Sequence, residues 1–187
     1  RNQGWQPTEG FRSSFAQKIP LLADNNSLTN SYEFNKYHEF TDDMIGSLTL
    51  YLKAINSIDG DDVRVSNRLY LNEKRLRGFE RKKVGPKDGV DYVGGNYAAA
   101  VNASTTVPYI FQTLETLDMK MFIDSANVWG VDYSDTIDDS NKIRSSVGVA
   151  VDWYTVVGPL SFSLSQPITK ANTDKTEKFR FQLGTTF

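Results

Sequence analysis

Five cations crowd the stretch NEKRLRGFERK, residues 72–82: Lys74, Arg75, Arg77, Arg81 and Lys82 surround the pair Gly78-Phe79. A guanidinium presents a planar fork of donors suited to phosphate or carboxylate. The stretch is therefore a candidate nucleic-acid patch, membrane-surface patch, or loop whose arginine has a buried partner elsewhere in the chain. The net charge of -2 makes the basic excess local. A whole-domain nucleic-acid binder carries a basic surplus, so no nucleic-acid partner is expected. Acids gather in DGDD (59–62) and DYSDTIDDSN (132–141). Neither has the spacing of a helix–loop–helix calcium site, and both read as polar loops, so no metal is expected. His38 is the one histidine and there is no cysteine. That excludes thiolate metal sites and disulfide scaffolds, and leaves His38 as an ordinary strand residue. The chain has no nucleophile elbow and no phosphate loop. Carboxylate pairs such as Asp138-Asp139 lie in loops with nothing to raise a pKa. Neither an enzyme nor a cofactor is expected.

Whatever Arg77 meets must be held by strands, because helical periodicity is nearly absent and period-2 alternation recurs. Alternating runs occupy 10–19, 30–40, 47–55, 96–107, 116–128, 143–154, 159–166 and 178–187. The phase is least clean in 30–40, where a bulge is expected. Leu117, Met119, Met121 and Ile123 face away from Asp118, Lys120 and Asp124; Phe179, Phe181, Leu183 and Phe187 face away from Arg180, Gln182 and Gly184. No apolar run is long enough for a transmembrane helix. The chain opens at Arg1 without Met or a signal peptide, as expected of a soluble protein or of a piece cut from a longer precursor. Alternation alone fits a water-soluble sandwich or a membrane barrel. Strands of about ten residues match a tilted bilayer crossing. Aromatics near strand ends, Phe11, Trp129, Trp153, Tyr154, Phe179 and Phe187, suit the interface girdles of a barrel. The expected architecture is one all-β region over 1–187, an antiparallel transmembrane β-barrel of about eight strands. A long loop at about 57–93 interrupts it, with Leu69, Leu71, Leu76 and Phe79 as apolar anchors.

Six stretches, in order, carry a resemblance. RNQGWQPTEGFR (1–12), LRGF (76–79), GGNYAAA (94–100), FIDSANVW (122–129), IRSSVGVAVDW with GPLSFSLSQP (143–167) and KFRFQLGTTF (178–187) are similar to successive motifs of the BamA superfamily of outer-membrane β-barrel assembly factors (bacterial surface antigens). The resemblance implies a bacterial outer-membrane protein whose barrel has about twice the strands counted here, with periplasmic POTRA domains ahead of it. This chain corresponds to the C-terminal half. Its expected partners are outer-membrane lipid, unfolded outer-membrane clients and accessory assembly proteins reached through POTRA domains. In such a family the first and last strands meet at a weak seam where client strands are templated. Here the last strand is 178–187, with Phe179, Phe181, Leu183 and Phe187.

The resemblance also bears on the basic stretch. It implies that the loop, with its tip Arg77, Gly78 and Phe79, folds into the lumen, where the arginine pairs with acids of the wall. Asp124 matches one such acid. The other, a glutamate on the preceding strand, falls at Ser104 when counted from Gly94; Asp118 and Asp152 are possible substitutes. Lys74, Arg75, Arg81, Lys82 and Lys83 are expected to be solvated. A closed barrel of eight strands is just filled by its own side chains, so either this half closes alone as a small barrel with the loop outside, or the loop lies inside a larger barrel: the intact protein, or a homodimer of half-barrels. Other functions in view are a two-partner secretion or translocation pore of the same superfamily, an organellar homologue, and a structural or adhesive barrel. A soluble sandwich ranks last.

Overall fold

The computed structural model describes residues 7–20, 26–107, 116–137, 141–156 and 158–184. Phe187, Asp138, Asp139 and residues 1–6 of the stretch 1–12 lie outside them. Eight strands form one antiparallel sheet: β1 (Gly10–Lys18), β2 (Ser27–Thr41), β3 (Met44–Ser57), β6 (Tyr97–Thr106), β7 (Leu117–Trp129), β8 (Arg144–Thr155), β9 (Gly158–Thr169) and β10 (Phe179–Leu183). Between β3 and β6 the long loop carries a 3-10 turn (Val65–Asn67) and a small hairpin of β4 (Lys87–Asp88) and β5 (Asp91–Tyr92). Each strand of the large sheet pairs with its sequence neighbour, in the order β1-β2-β3-β6-β7-β8-β9-β10. The expected irregularity of the second strand lies at its end, where the register shifts between Glu39 and Thr41. The sheet does not close: β1 and β10 are its two edges, and among the described residues no ladder joins them. The small closed barrel is thus not the form seen. A loop packed on one face leaves no room for eight strands to wrap shut.

Alternation fixes which side chains share a face, and the ladders carry that phase across the sheet. Ile123 stands opposite Val147, Val149 opposite Leu164, and Leu164 opposite Phe179. Phe162 and Phe181 stack at 5.1 Å between ring centres. This apolar face is the exposed one: Ile123 is 57% exposed, Leu164 58% and Phe181 51%. The opposite face is polar, yet Asp124, Arg144, Ser146, Asp152 and Ser161 are fully buried. A soluble sandwich buries its apolar face and wets its polar one. Here the arrangement is inverted, as the surface of a membrane barrel requires.

The loop covers the polar face. Its Val63, Leu69, Leu71, Leu76, Phe79 and Val84 form one buried cluster with Ile55, Ala98, Ala100, Ala126 and Val128 of the strands. The expected anchors are all in it. The small residues of β6 and β7 make room for the loop, which takes the place that a second sheet fills in a sandwich. The loop is tied to the segment that leads into β6 by Leu69 N–H to Gly95 O at 2.8 Å and Gly95 N–H to Leu69 O at 2.9 Å.

If the apolar face meets lipid, Ile123→Lys should cost about 2–4 kcal/mol of stability in a phospholipid bilayer, read by equilibrium unfolding of the vesicle-inserted protein. A neutral result would mean that the face meets water.

Candidate functional site

The tip of the loop is delivered by a turn at 72–76. Asn72 accepts Arg75 N–H on its side chain at 3.0 Å and Leu76 N–H on its carbonyl at 3.3 Å. Leu76 then plugs into the core, and Arg77 points at β7. The Arg77 guanidinium grips Asp124 bidentately, Nε to Oδ2 at 2.7 Å and Nη2 to Oδ1 at 2.7 Å. The Arg77 backbone N–H adds a third bond to Oδ2 at 3.0 Å. Asn102 Nδ2, directly across the ladder, donates to Asp124 Oδ1 at 2.8 Å and to Arg75 O at 2.9 Å. From the other side, Ser146 Oγ donates to Arg77 O at 2.5 Å. The guanidinium carbon lies 3.4 Å from the centre of the Phe122 ring. Two glycines make this approach possible. Gly148 sits opposite Phe122, and a Cβ there would lie 2.7 Å from Phe122 Cζ. Gly78 has φ +89, and its Cβ would meet Ser165 Cβ at 3.0 Å.

Asp124 is wholly buried and Arg77 nearly so. Taking two charges out of water costs several kcal/mol each unless the pair is well matched and its remaining donors and lone pairs are satisfied. Asp124 accepts four bonds, which meets that condition. The pair is a structural clamp between loop tip and wall.

Several expectations require correction. Ser104 does not flank Asp124: it faces Ser47, hydroxyl to hydroxyl at 2.7 Å. The residue opposite Asp124 is the amide Asn102. Asp152 does not substitute, being held by Lys120 at 2.9 Å and by Ser161 Oγ at 2.6 Å. Asp118 stands opposite Asp152, toward the far end of β7. One acid, one amide and one aromatic ring thus form the clamp. Arg75 is not solvated either: it pairs with Glu33 on β2 and lies 4.3 Å over the Tyr51 ring. Lys74, Arg81 and Lys82 are exposed, as expected. Lys83 is half-buried, with its ammonium over the Tyr92 ring at 5.2 Å. His38 lies on β2, 3.3 Å from the Glu9 carboxylate.

Two further ion pairs were not anticipated, one half-buried and one fully buried. Arg68 pairs with Asp132, which also accepts Val63 N–H at 2.9 Å and Asn96 Nδ2 at 2.8 Å. Partial burial pushes the Asp132 pKa up, but these hydrogen bonds and the Arg68 charge outweigh it and leave the carboxyl below its ordinary value of 3.8. Arg144, at the start of β8, grips Asp174 through Nε at 2.9 Å and Nη2 at 3.1 Å. The partners lie 64 and 30 residues apart in sequence. Nothing local marks them. The one available signal was an arginine opening a strand whose other same-face residues are Ser, Gly, Ala and Asp.

The terminal strand places Phe179, Phe181 and Leu183 on the exposed apolar face. Its ladder with β9 is short, Phe179 to Leu183 against Leu164 to Leu160. The other edge of β10 is free of any strand among the described residues. The Omp85 superfamily domain matches residues 1–187. The chain belongs to the Omp85 superfamily. Outer membrane protein assembly factor BamA of Neisseria meningitidis serogroup B is 32% identical over 139 residues, covering 60% of this chain and 17% of that protein. BamA of Neorickettsia risticii is 30% identical over 150 residues, covering 78% and 20%. The crystal structure of BamA from Haemophilus ducreyi lacking POTRA domains 1-3 superimposes with a TM-score of 0.84 at 26% identity, over 96% of this chain and 39% of that one. The chain thus spans about a fifth of the length of these curated relatives. As a member of Omp85 it is an outer-membrane β-barrel segment, and the inverted burial of its sheet has its physical reason in lipid.

Arg77→Ala in this Omp85 wall would strand the Asp124 carboxylate. It should cost about 3–5 kcal/mol and open the tip to trypsin at Arg81 and Lys82. A loop as resistant as wild type would rule out the clamp. The depressed Asp132 pKa carries its own sign. Its stabilisation is present above the unfolded value of 3.8 and is lost as the pH falls through the lower folded value. Acid should therefore loosen the 63–68 segment, measured by limited pepsin digestion, in wild type but not in Asp132→Asn, which should be loose at every pH.

Proposed function

We propose that this chain is the C-terminal barrel wall of an outer-membrane protein assembly and insertion factor. Unfolded outer-membrane clients pair with the free edge of β10, and the surrounding lipid is thinned locally. It acts without covalent chemistry or cofactor. Accessory assembly proteins engage POTRA domains elsewhere in the polypeptide. The edge opposite β10, on β1, is completed by further strands of the same polypeptide, a reading supported by the greater length of the relatives. Pairing of two copies is the other way to complete it.

The observation that carries this reading is the state of β10. It is short, it has apolar side chains facing outward, and among the described residues no strand pairs with its other edge. In water such an edge is an aggregation hazard. In a membrane, unpaired backbone groups cost several kcal/mol each, so the edge gains most from a strand that adds to it. Strand addition of this kind derives affinity from backbone hydrogen bonds and tolerates many sequences, which suits a factor serving many clients.

With a cysteine at Gln182 in the full-length protein, a client barrel carrying a cysteine in a terminal strand should crosslink during assembly. A cysteine at Ser161, buried on β9, should not. Equal crosslinking at both positions, or none at Gln182, would remove β10 as the templating edge.

A further inference from the structure

The approach to the terminal strand is held by the loop as well as by the sheet. The connection 170–178 that leads into β10 runs alongside the loop tip. Glu80 N–H donates to Lys175 O at 3.0 Å, Lys175 N–H to Lys83 O at 3.0 Å, and Glu177 N–H to Gly78 O at 3.0 Å. Phe79 and Thr176 form an antiparallel bridge. Arg180 Nη2 donates to Phe79 O at 2.9 Å, and the Tyr92 hydroxyl donates to Thr173 O. At the centre is Asp174, nearly buried. Its Oδ1 accepts Gly85 N–H at 3.3 Å and Arg144 Nη2 at 3.1 Å. Its Oδ2 accepts Arg144 Nε at 2.9 Å and Ala171 N–H at 2.6 Å. Arg144 is itself fixed by Asn127 Oδ1 and Lys142 O, each at 2.7 Å. One carboxylate thus joins the end of β7, the start of β8, the loop and the approach to β10.

We propose that Asp174 is a positioning residue for the terminal strand. It pins the loop-side end of β10, so that loosening of the strand begins at the Leu183 end while the loop-side end keeps its place. The geometry is asymmetric in this sense. The loop-side end has the contacts above. Toward the other end the strand has the ladder to Leu160–Leu164, the Phe162–Phe181 ring contact, Gly184 N–H to Pro159 O at 2.8 Å and one long bond to the loop, Gln182 Nε2 to Glu73 Oε1 at 3.5 Å. The loop tip, through Arg77 and Asp124, is in turn fixed to β7. The edge that accepts a client would therefore stay in register with the loop while it opens. The importance of this for assembly rests on the reading of β10 as the client-pairing edge; the pinning itself does not.

Amide hydrogen exchange on the full-length protein in lipid nanodiscs tests it. In the wild type, amides near Leu183 should exchange faster than those near Phe179. Asp174→Asn should raise exchange about tenfold at Glu80, Lys175 and Glu177, and leave β6 and β7 unchanged. Unchanged exchange at those three amides, or a rise spread evenly over the sheet, overturns the proposal. If Asp174→Asn does not fold, Tyr92→Phe, which deletes only the hydroxyl to Thr173, should raise exchange at the same amides severalfold; no rise there would equally overturn it. Client assembly by the same variants separates the two claims. Loosened amides with unaltered assembly uphold the pin and count against β10 as the templating edge.

Discussion

A carboxylate with no access to solvent must have its charge answered by the protein. Asp124 stands in the middle of a strand, and the group that answers it arrives from a loop 47 residues earlier in the chain. Much follows from that requirement. The tip must reach the wall, so the loop must lie on the sheet. Phe122 must lie flat beneath the guanidinium, so the residue opposite it has no side chain. The neighbours of the pair, Asn102 and Ser146, are polar and small enough to complete its hydrogen bonds without displacing the arginine. A buried pair of this quality adds little net stability over an apolar replacement, but it penalises every other placement of the loop. Its value is specificity: it selects one register of tip against wall.

The same loop resolves what an inside-out sheet does for a core. With the apolar side chains turned to lipid, burial of the inner face must come from elsewhere. The loop supplies Leu69, Leu71, Leu76 and Phe79 against the alanines of β6 and the Ala126–Val128 stretch of β7. Where apolar contact ends, ion pairs continue: Arg75 with Glu33, Arg68 with Asp132, Arg144 with Asp174. The loop is therefore part of the fold and not an appendage, and the terminal strand is attached to it as well as to its neighbour β9.

How much of this was legible in the sequence depended on the range of the interaction. Strand phase is local, because side chains alternate at period 2, and residues such as Ile123, Val149 and Phe181 could be assigned to their face directly. Which face meets lipid was not local. It needed the burial of Ser161 and Asp152, or the family resemblance. Arg77 and Asp124 came from the resemblance, since no spacing rule joins them. The misplacement of the second wall residue at Ser104 instead of Asn102 is instructive: an error of two residues preserves the face and changes only the register, which the length of the preceding loop sets. Arg75 was read as solvated because its partner, Glu33, belongs to a strand 42 residues away. Arg144 and Asp174 were invisible for the same reason.

The terminal edge of the sheet gains its character from contrast. Interior strands share long ladders and both neighbours; among the described residues β10 has a short ladder, one neighbour and an anchored approach. An edge that is weakly paired and firmly located can accept a foreign strand without losing its own position, provided the loop stays clamped to β7. The central claim is thus the coupling between Arg77 and Asp124, and a double-mutant cycle measures it most directly. Unfolding free energies of the wild type, Arg77→Ala, Asp124→Ala and the double variant, taken in lipid nanodiscs, should give a coupling energy of about 2–3 kcal/mol, with the double variant more stable than the sum of the single losses predicts. Additive losses would contradict the account, because they would mean that the tip and the wall do not depend on one another.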